Sequence, residues 1–136
     1  MTFSHLKPTA AKFGLRATFG EAAAGTASGK AAVRPNPKLF YGETTANPQS
    51  EILDIEAVAA AAHEVGVPLV VDNTIATPYL LRPLEWGADV VLHSATQSLG
   101  IHGASIAGVI VYVRTFDFAK DPEKFPNYNT PCDGYN

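Results

Sequence analysis

The stretch from Asp54 to Thr74, DIEAVAAAAHEVGVPLVVDNT, decides the fold. Ile55, Val58, Ala59, Ala62 and Val65 recur at i, i+3, i+4, i+7 and i+10, which gathers them on one face of an amphipathic helix. Asp54 is suited to cap that helix, because its carboxylate can accept from first-turn amides that have no carbonyl partner. Gly66 supplies the C-terminal stop. Val67 to Val71 follows as a continuous apolar run with three β-branched residues, the composition of a strand covered on both faces, and it ends abruptly in Asp72-Asn73-Thr74.

Working upstream, LFYGETTANP (39 to 48) reads as a strand stopped by a polar cluster and Pro48. Strand, helix and strand within about 30 residues make a βαβ unit, whose two strands are parallel and whose crossover is right-handed. Downstream, a linking segment from Pro78 to Gly87 leads to a third strand at Val90 to Leu92, and IAGVIVYV (106 to 113) is a fourth candidate. Before the unit, Phe3, Leu6, Ala10 and Phe13 have helical spacing up to Gly14, with Pro8 shortening or kinking that helix. A short strand is expected at Leu15 to Phe19, then a short helix in the Ala- and Gly-rich residues 20 to 33. The tail from Thr115, rich in Pro, Asp and Asn, reads as surface loop or as the unfinished start of a further element. The pattern predicts the α/β class with a mainly parallel sheet.

Composition narrows the function. The 136 residues suffice for one domain with one core, and 46% hydrophobic content argues for a globular chain. Net charge is −3, with ten Lys and Arg scattered without a basic run, so nothing draws the chain to nucleic acid. No apolar run is long enough to span a bilayer. A single cysteine, Cys132, and no leader-like N-terminus make a reducing cytoplasm the expected compartment.

In an open α/β sheet, ligands bind beyond the carboxyl ends of the parallel strands. Three strands end in polar clusters here: Glu43 to Asn47, Asp72 to Thr74, and His93 to Gln97. Side by side, these clusters form one pocket in which short hydroxyls and bare backbone amides suit an anionic group. Singly, each residue has a plainer role: Asp72 can cap a turn, Ser94 and Thr96 can shape one, and Asn47 before Pro48 is an ordinary turn residue. Gly100, Gly103 and Gly108 do not fit GxGxxG, which disfavours a dinucleotide site. His93 and His102 lack a third ligand at metal spacing, and Ser94 sits in no GxSxG elbow. No metal site is expected.

Taken together, GETTANP (42 to 48), VVDNTIATPYLLRPLEWGAD (70 to 89), VVLHSAT (90 to 96) and IAGVIV (106 to 111) resemble the pyridoxal-phosphate enzymes of cysteine and methionine metabolism, and within them the O-acetylhomoserine sulfhydrylase branch. The resemblance implies part of the large domain of the aspartate-aminotransferase-like fold (fold type I), a partial three-layer sandwich occupying residues 1 to 114 with a loop-rich tail over 115 to 136. It implies γ-replacement of O-acetylhomoserine by sulfide to give homocysteine, an amino-acid substrate and a homo-oligomer. Asp72 matches the carboxylate that pairs with the pyridine nitrogen of pyridoxal 5'-phosphate, Ser94 and Thr96 the hydroxyls on its phosphate, and Asn47 the amide on its ring hydroxyl.

Gln97 stands where the family carries its Schiff-base lysine. A carboxamide nitrogen, its lone pair delocalised into the carbonyl, neither attacks an aldehyde nor shuttles a proton. No lysine lies between Lys38 and Lys120 to take over. Lost general acid–base help alone is worth ~10²–10⁴-fold in rate, so this chain is expected to be catalytically impaired, or a non-catalytic remnant that at most binds the cofactor non-covalently. The family's chains are much longer, so exposed sheet edges and apolar faces are expected as well. The family's glycines after the lysine are altered to Leu99-Gly100-Ile101-His102-Gly103, a further departure.

Overall fold

A computed structural model describes residues 2–20, 31, 33–132 and 134. Four strands form one sheet in the order β1-β2-β3-β4: β1 Phe40–Glu43, β2 Leu69–Asp72, β3 Val90–Ser94 and β4 Gly108–Tyr112. β1, β2 and β3 are parallel, and β4 runs antiparallel beside β3. The mainly parallel sheet is therefore the observed one, with a reversed strand at one edge.

The crossover helix α1, Ile55–Glu64, begins as the sequence predicts, with Asp54 Oδ1 accepting from the Ala57 amide at 3.0 Å. It ends at Val65, after which Gly66 turns left-handed at φ 70°. Ile55, Ala59 and Ala62 point at the sheet and pack with Val67, Leu69, Val71 and Val91. Small alanines let helix and sheet approach closely, while buried Leu69 and Val71 each contribute roughly 1.5–3 kcal/mol through removal from water. Gly42 belongs to the same contact, since a Cβ there would lie 2.7 Å from Leu53 Cδ2.

Coverage of both faces of β2 is not what the structure shows. Leu69 and Val71 are buried, but Val70 and Asp72, pointing the other way, are only half-buried. That second face receives the N-terminal helical segment at its β1 edge, where the Thr2 hydroxyl donates to Glu43 Oε1 at 3.2 Å. Toward β4 it is open: Ile110 is 74% exposed. The third layer of the sandwich is thus only begun.

The N-terminal helical segment runs through Thr2–Ser4, His5–Thr9 and Ala10–Phe13 to a left-handed Gly14, with Pro8 inside its wider middle turn. The strand expected at Leu15 to Phe19 does not form. Those residues pair with no strand, Leu15 and Phe19 are exposed, and Phe19 rests instead on the Phe3 ring, centroids 4.6 Å apart. Most of the helix expected in residues 20 to 33 lies outside the described residues.

Among its described residues, the tail beyond Arg114 carries only short turns, Phe118–Lys120 and Pro126–Tyr128, as regular helical elements, yet it is not mere surface loop. Phe125 is buried in the core under α1, and meets Phe116 and Phe118 edge-on at 5.7 and 5.1 Å. Asp89, at the base of β3, anchors the start of this tail: its carboxylate accepts from the Leu69 amide at 2.8 Å, from His63 Nε2 at 2.8 Å and from the Thr115 hydroxyl at 3.2 Å.

Candidate functional site at the strand ends

Because β1, β2 and β3 are adjacent and parallel, their polar carboxyl ends come together, with Glu43 directly beside Asp72 and Asp72 beside Leu92. Asp72 is the centre of the arrangement. Its Oδ1 accepts two bonds from Thr74, from the amide at 2.9 Å and the hydroxyl at 2.5 Å. The other oxygen, Oδ2, has only the Tyr41 phenol at 3.4 Å, a long and weak contact. Thr74 reaches the next strand as well, accepting from the Ser94 amide at 2.8 Å. The Ser94 hydroxyl then donates to Gln97 Oε1 across the turn Ala95–Leu99.

One connected set of polar groups therefore runs from Tyr41 through Asp72, Thr74 and Ser94 to Gln97. Thr96 lies beside it but is held separately, its hydroxyl donating to the Ala107 carbonyl at 3.4 Å and accepting from the Ala107 amide at 3.2 Å. Asn47 is exposed, and is tied in through its backbone amide, which donates to Glu43 Oε2 at 3.3 Å. Gln97 is exposed too. Tyr41 is pushed up to about 12, first by burial and next by the negative charge of Asp72, with Glu43 adding to it and a hydrogen bond with Thr2 opposing it.

Sequence reasoning placed Thr74 in the strand-end cluster without a role of its own, and missed Tyr41 as a member of this set. Thr74 was visible in the polar end of β2, but its bond to Ser94 spans 20 residues and depends on β2 and β3 being neighbours. Asn73 likewise had no role of its own; fully buried, it donates from Nδ2 to the Thr77 and Leu81 carbonyls at 3.1 and 2.8 Å and so ties the linker after β2 to the end of that strand. The turn after β3 is tight. A Cβ on Gly100 would sit 2.6 Å from the Ala95 carbonyl oxygen, and Ile101 adopts φ 61°, a left-handed backbone that a β-branched residue rarely accepts.

A carboxylate and hydroxyls gathered at adjacent ends of parallel strands mark an α/β protein of the kind in which ligands are met beyond the strand ends. The chain belongs to the family of Cys/Met metabolism PLP-dependent enzymes, which matches residues 1–130. It is 44% identical over 128 residues to the O-acetyl-L-homoserine sulfhydrylase of Corynebacterium glutamicum, covering 92% of this chain and 29% of that protein. To the homocysteine/cysteine synthase of Saccharomyces cerevisiae it is 39% identical, covering 99% and 30%. Its fold superposes with a TM-score of 0.90 and 29% identity on a Campylobacter jejuni protein described as an O-acetylhomoserine (thiol)-lyase, covering 98% of this chain and 33% of that one. That crystal structure carries N'-pyridoxyl-lysine-5'-monophosphate. The chain thus spans 29% and 30% of the two curated relatives. Among the described residues, no helix is long and apolar enough to cross a membrane.

Proposed function

We propose that this chain is the cofactor-holding part of a pyridoxal-phosphate-dependent transferase of homocysteine synthesis, acting on O-acetylhomoserine and sulfide by γ-replacement, in a form whose turnover is severely impaired by Gln97. Membership of the family over residues 1–130 supports the reaction class. The observation that carries the site is the chain of bonds from Asp72 through Thr74 to Ser94 at adjacent strand ends.

The donor and acceptor set fits the cofactor. Asp72 keeps Oδ2 nearly free, an acceptor for a protonated ring nitrogen, while Thr74 saturates Oδ1. Ser94 and Thr96 offer hydroxyls to a phosphate, and Asn47 a carboxamide to the ring hydroxyl. When bound, pyridoxal phosphate supplies an electron sink for a substrate carbanion. Asp72 would hold the proton at the ring nitrogen on which that sink depends. Gln97 has the opposite effect: its Oε1 takes the Ser94 proton that a phosphate would otherwise receive, and its amide cannot attack an aldehyde. A non-catalytic protein that binds the cofactor without a covalent bond is the second reading, favoured by the same residue.

The test adds pyridoxal phosphate to the 136-residue chain and to Gln97→Lys, following binding by calorimetry and covalent capture by borohydride trapping and mass. Both proteins should bind, and only the lysine variant should gain the adduct mass. Absence of binding by either protein would remove the cofactor reading. Sulfhydrylase turnover by the unmodified chain at a rate matching the lysine variant would remove the impairment.

A further inference from the structure

The two ends of the proposed seat are joined by a single hydroxyl, that of Thr74. The Ser94 amide can only donate, so it must take a lone pair of the Thr74 oxygen, at 2.8 Å. The hydroxyl proton is then committed to Asp72 Oδ1, which can only accept when ionised, at 2.5 Å. With the Thr74 amide on that oxygen as well, at 2.9 Å, the carboxylate cannot rotate without breaking two bonds. Its Oδ2 is left as the oxygen available to a ligand.

We propose that Thr74 is a positioning residue that locks the Asp72 carboxylate to the Ser94 end of β3, so that the ring and phosphate contacts of one ligand are met at a fixed spacing. This rests on the cofactor reading above. Thr74 acts through Asp72 and Ser94, and its value lies in coupling: a ligand with both a ring and a phosphate benefits from the fixed spacing, whereas a ligand with one of the two does not.

The experiment compares the 136-residue chain with Thr74→Val, which keeps the β-branch and loses the hydroxyl, and Thr74→Ser, which keeps the hydroxyl. Calorimetry measures binding of pyridoxal phosphate, of inorganic phosphate and of unphosphorylated pyridoxal. Amide hydrogen exchange is read at Ser94. Valine should weaken pyridoxal phosphate about 10- to 100-fold, the loss typical of a charge-assisted hydrogen bond, and each fragment by less than about threefold, while serine restores binding. Ser94 should lose amide protection in the valine variant alone. Equal weakening of the fragments and the whole ligand would overturn the proposal, because Thr74 would then touch the ligand or merely stabilise the fold. Should the parent chain bind no pyridoxal phosphate, the cofactor reading fails separately, and Ser94 protection decides the clamp: lost with valine and kept with serine supports it, unchanged overturns it. If valine prevents folding, Thr74→Ala is read in the same way.

Discussion

Replacing Asp89 tests which bonds hold the base of the sheet. Its carboxylate, 2% exposed, meets the Leu69 amide, the His63 ring and the Thr115 hydroxyl. These partners are not equivalent. His63 is 44% exposed and Thr115 lies at the surface, so both can turn to water once the carboxylate is gone. Leu69 is fully buried in β2, so its amide, which donates to the Asp89 carboxylate, cannot turn to water instead. Asp89→Leu is close in size and removes every acceptor, so it should cost about 2–4 kcal/mol, mostly the penalty of a buried amide left unpaired with a smaller share from the lost Thr115 bond. Asp89→Asn retains one oxygen for that amide and should cost about 1 kcal/mol. His63→Ala removes an exposed and water-screened partner and should cost less than about 1 kcal/mol. Urea unfolding followed by far-ultraviolet circular dichroism gives all three values, provided the slope with denaturant is unchanged. A loss on His63→Ala as large as on Asp89→Leu, or equal losses on Asn and Leu, would refute the assignment to the Leu69 amide.

Two other expectations follow from packing and charge. Tyr41 is raised from 10.0 to about 12, so the unfolded phenol deprotonates first. Its contribution to stability is intact below pH 10 and is lost as pH climbs toward 12; phenolate absorbance should show a late-titrating tyrosine that is absent in Tyr41→Phe. Phe125→Ala should destabilise by about 3–5 kcal/mol, as expected for a buried aromatic, measured from the urea midpoint; a cost below about 1 kcal/mol would make the tail peripheral to the core.

What the sequence made legible was local. The α1 periodicity, the Asp54 cap and the Gly66 stop each depend on residues within one or two turns, and all three appear in the structure. The polar strand ends were legible for the same reason. Whether they would meet depended on strand order, which the βαβ rule supplied for β1 and β2. Leu15 to Phe19 misled because apolar content makes a strand only where a partner edge is available, and these residues lie off the sheet. The tail misled in the opposite direction: Phe116, Phe118 and Phe125 show no period, because their common contact is made by a loop folding back under α1. Thr74 stands in a recognisably polar strand end in the sequence, but its bond to Ser94 appears only once β2 and β3 lie side by side.

The same logic connects the base of the sheet to the site at its other end. Asp89 pins Leu69 twice, through its carboxylate and through its own amide, which donates to the Leu69 carbonyl at 3.0 Å. This fixes the pairing Val70 with Val90, and two residues later Asp72 with Leu92. Strand side chains alternate faces, so a slip of one residue would send Asp72 to the α1 side or point Ser94 away from Thr74. The slip would also drive Leu69 and Val71 out of the core, which is why burial enforces the register. Hydrophobic packing under α1 and the buried Asp89 carboxylate therefore determine where Asp72 and Ser94 stand, and Thr74 adds the last bond between them. Gln97 lies beyond the end of β3, exposed and outside this constraint. A lysine could thus replace it without disturbing the register, and the Gln97→Lys variant tests chemistry rather than folding.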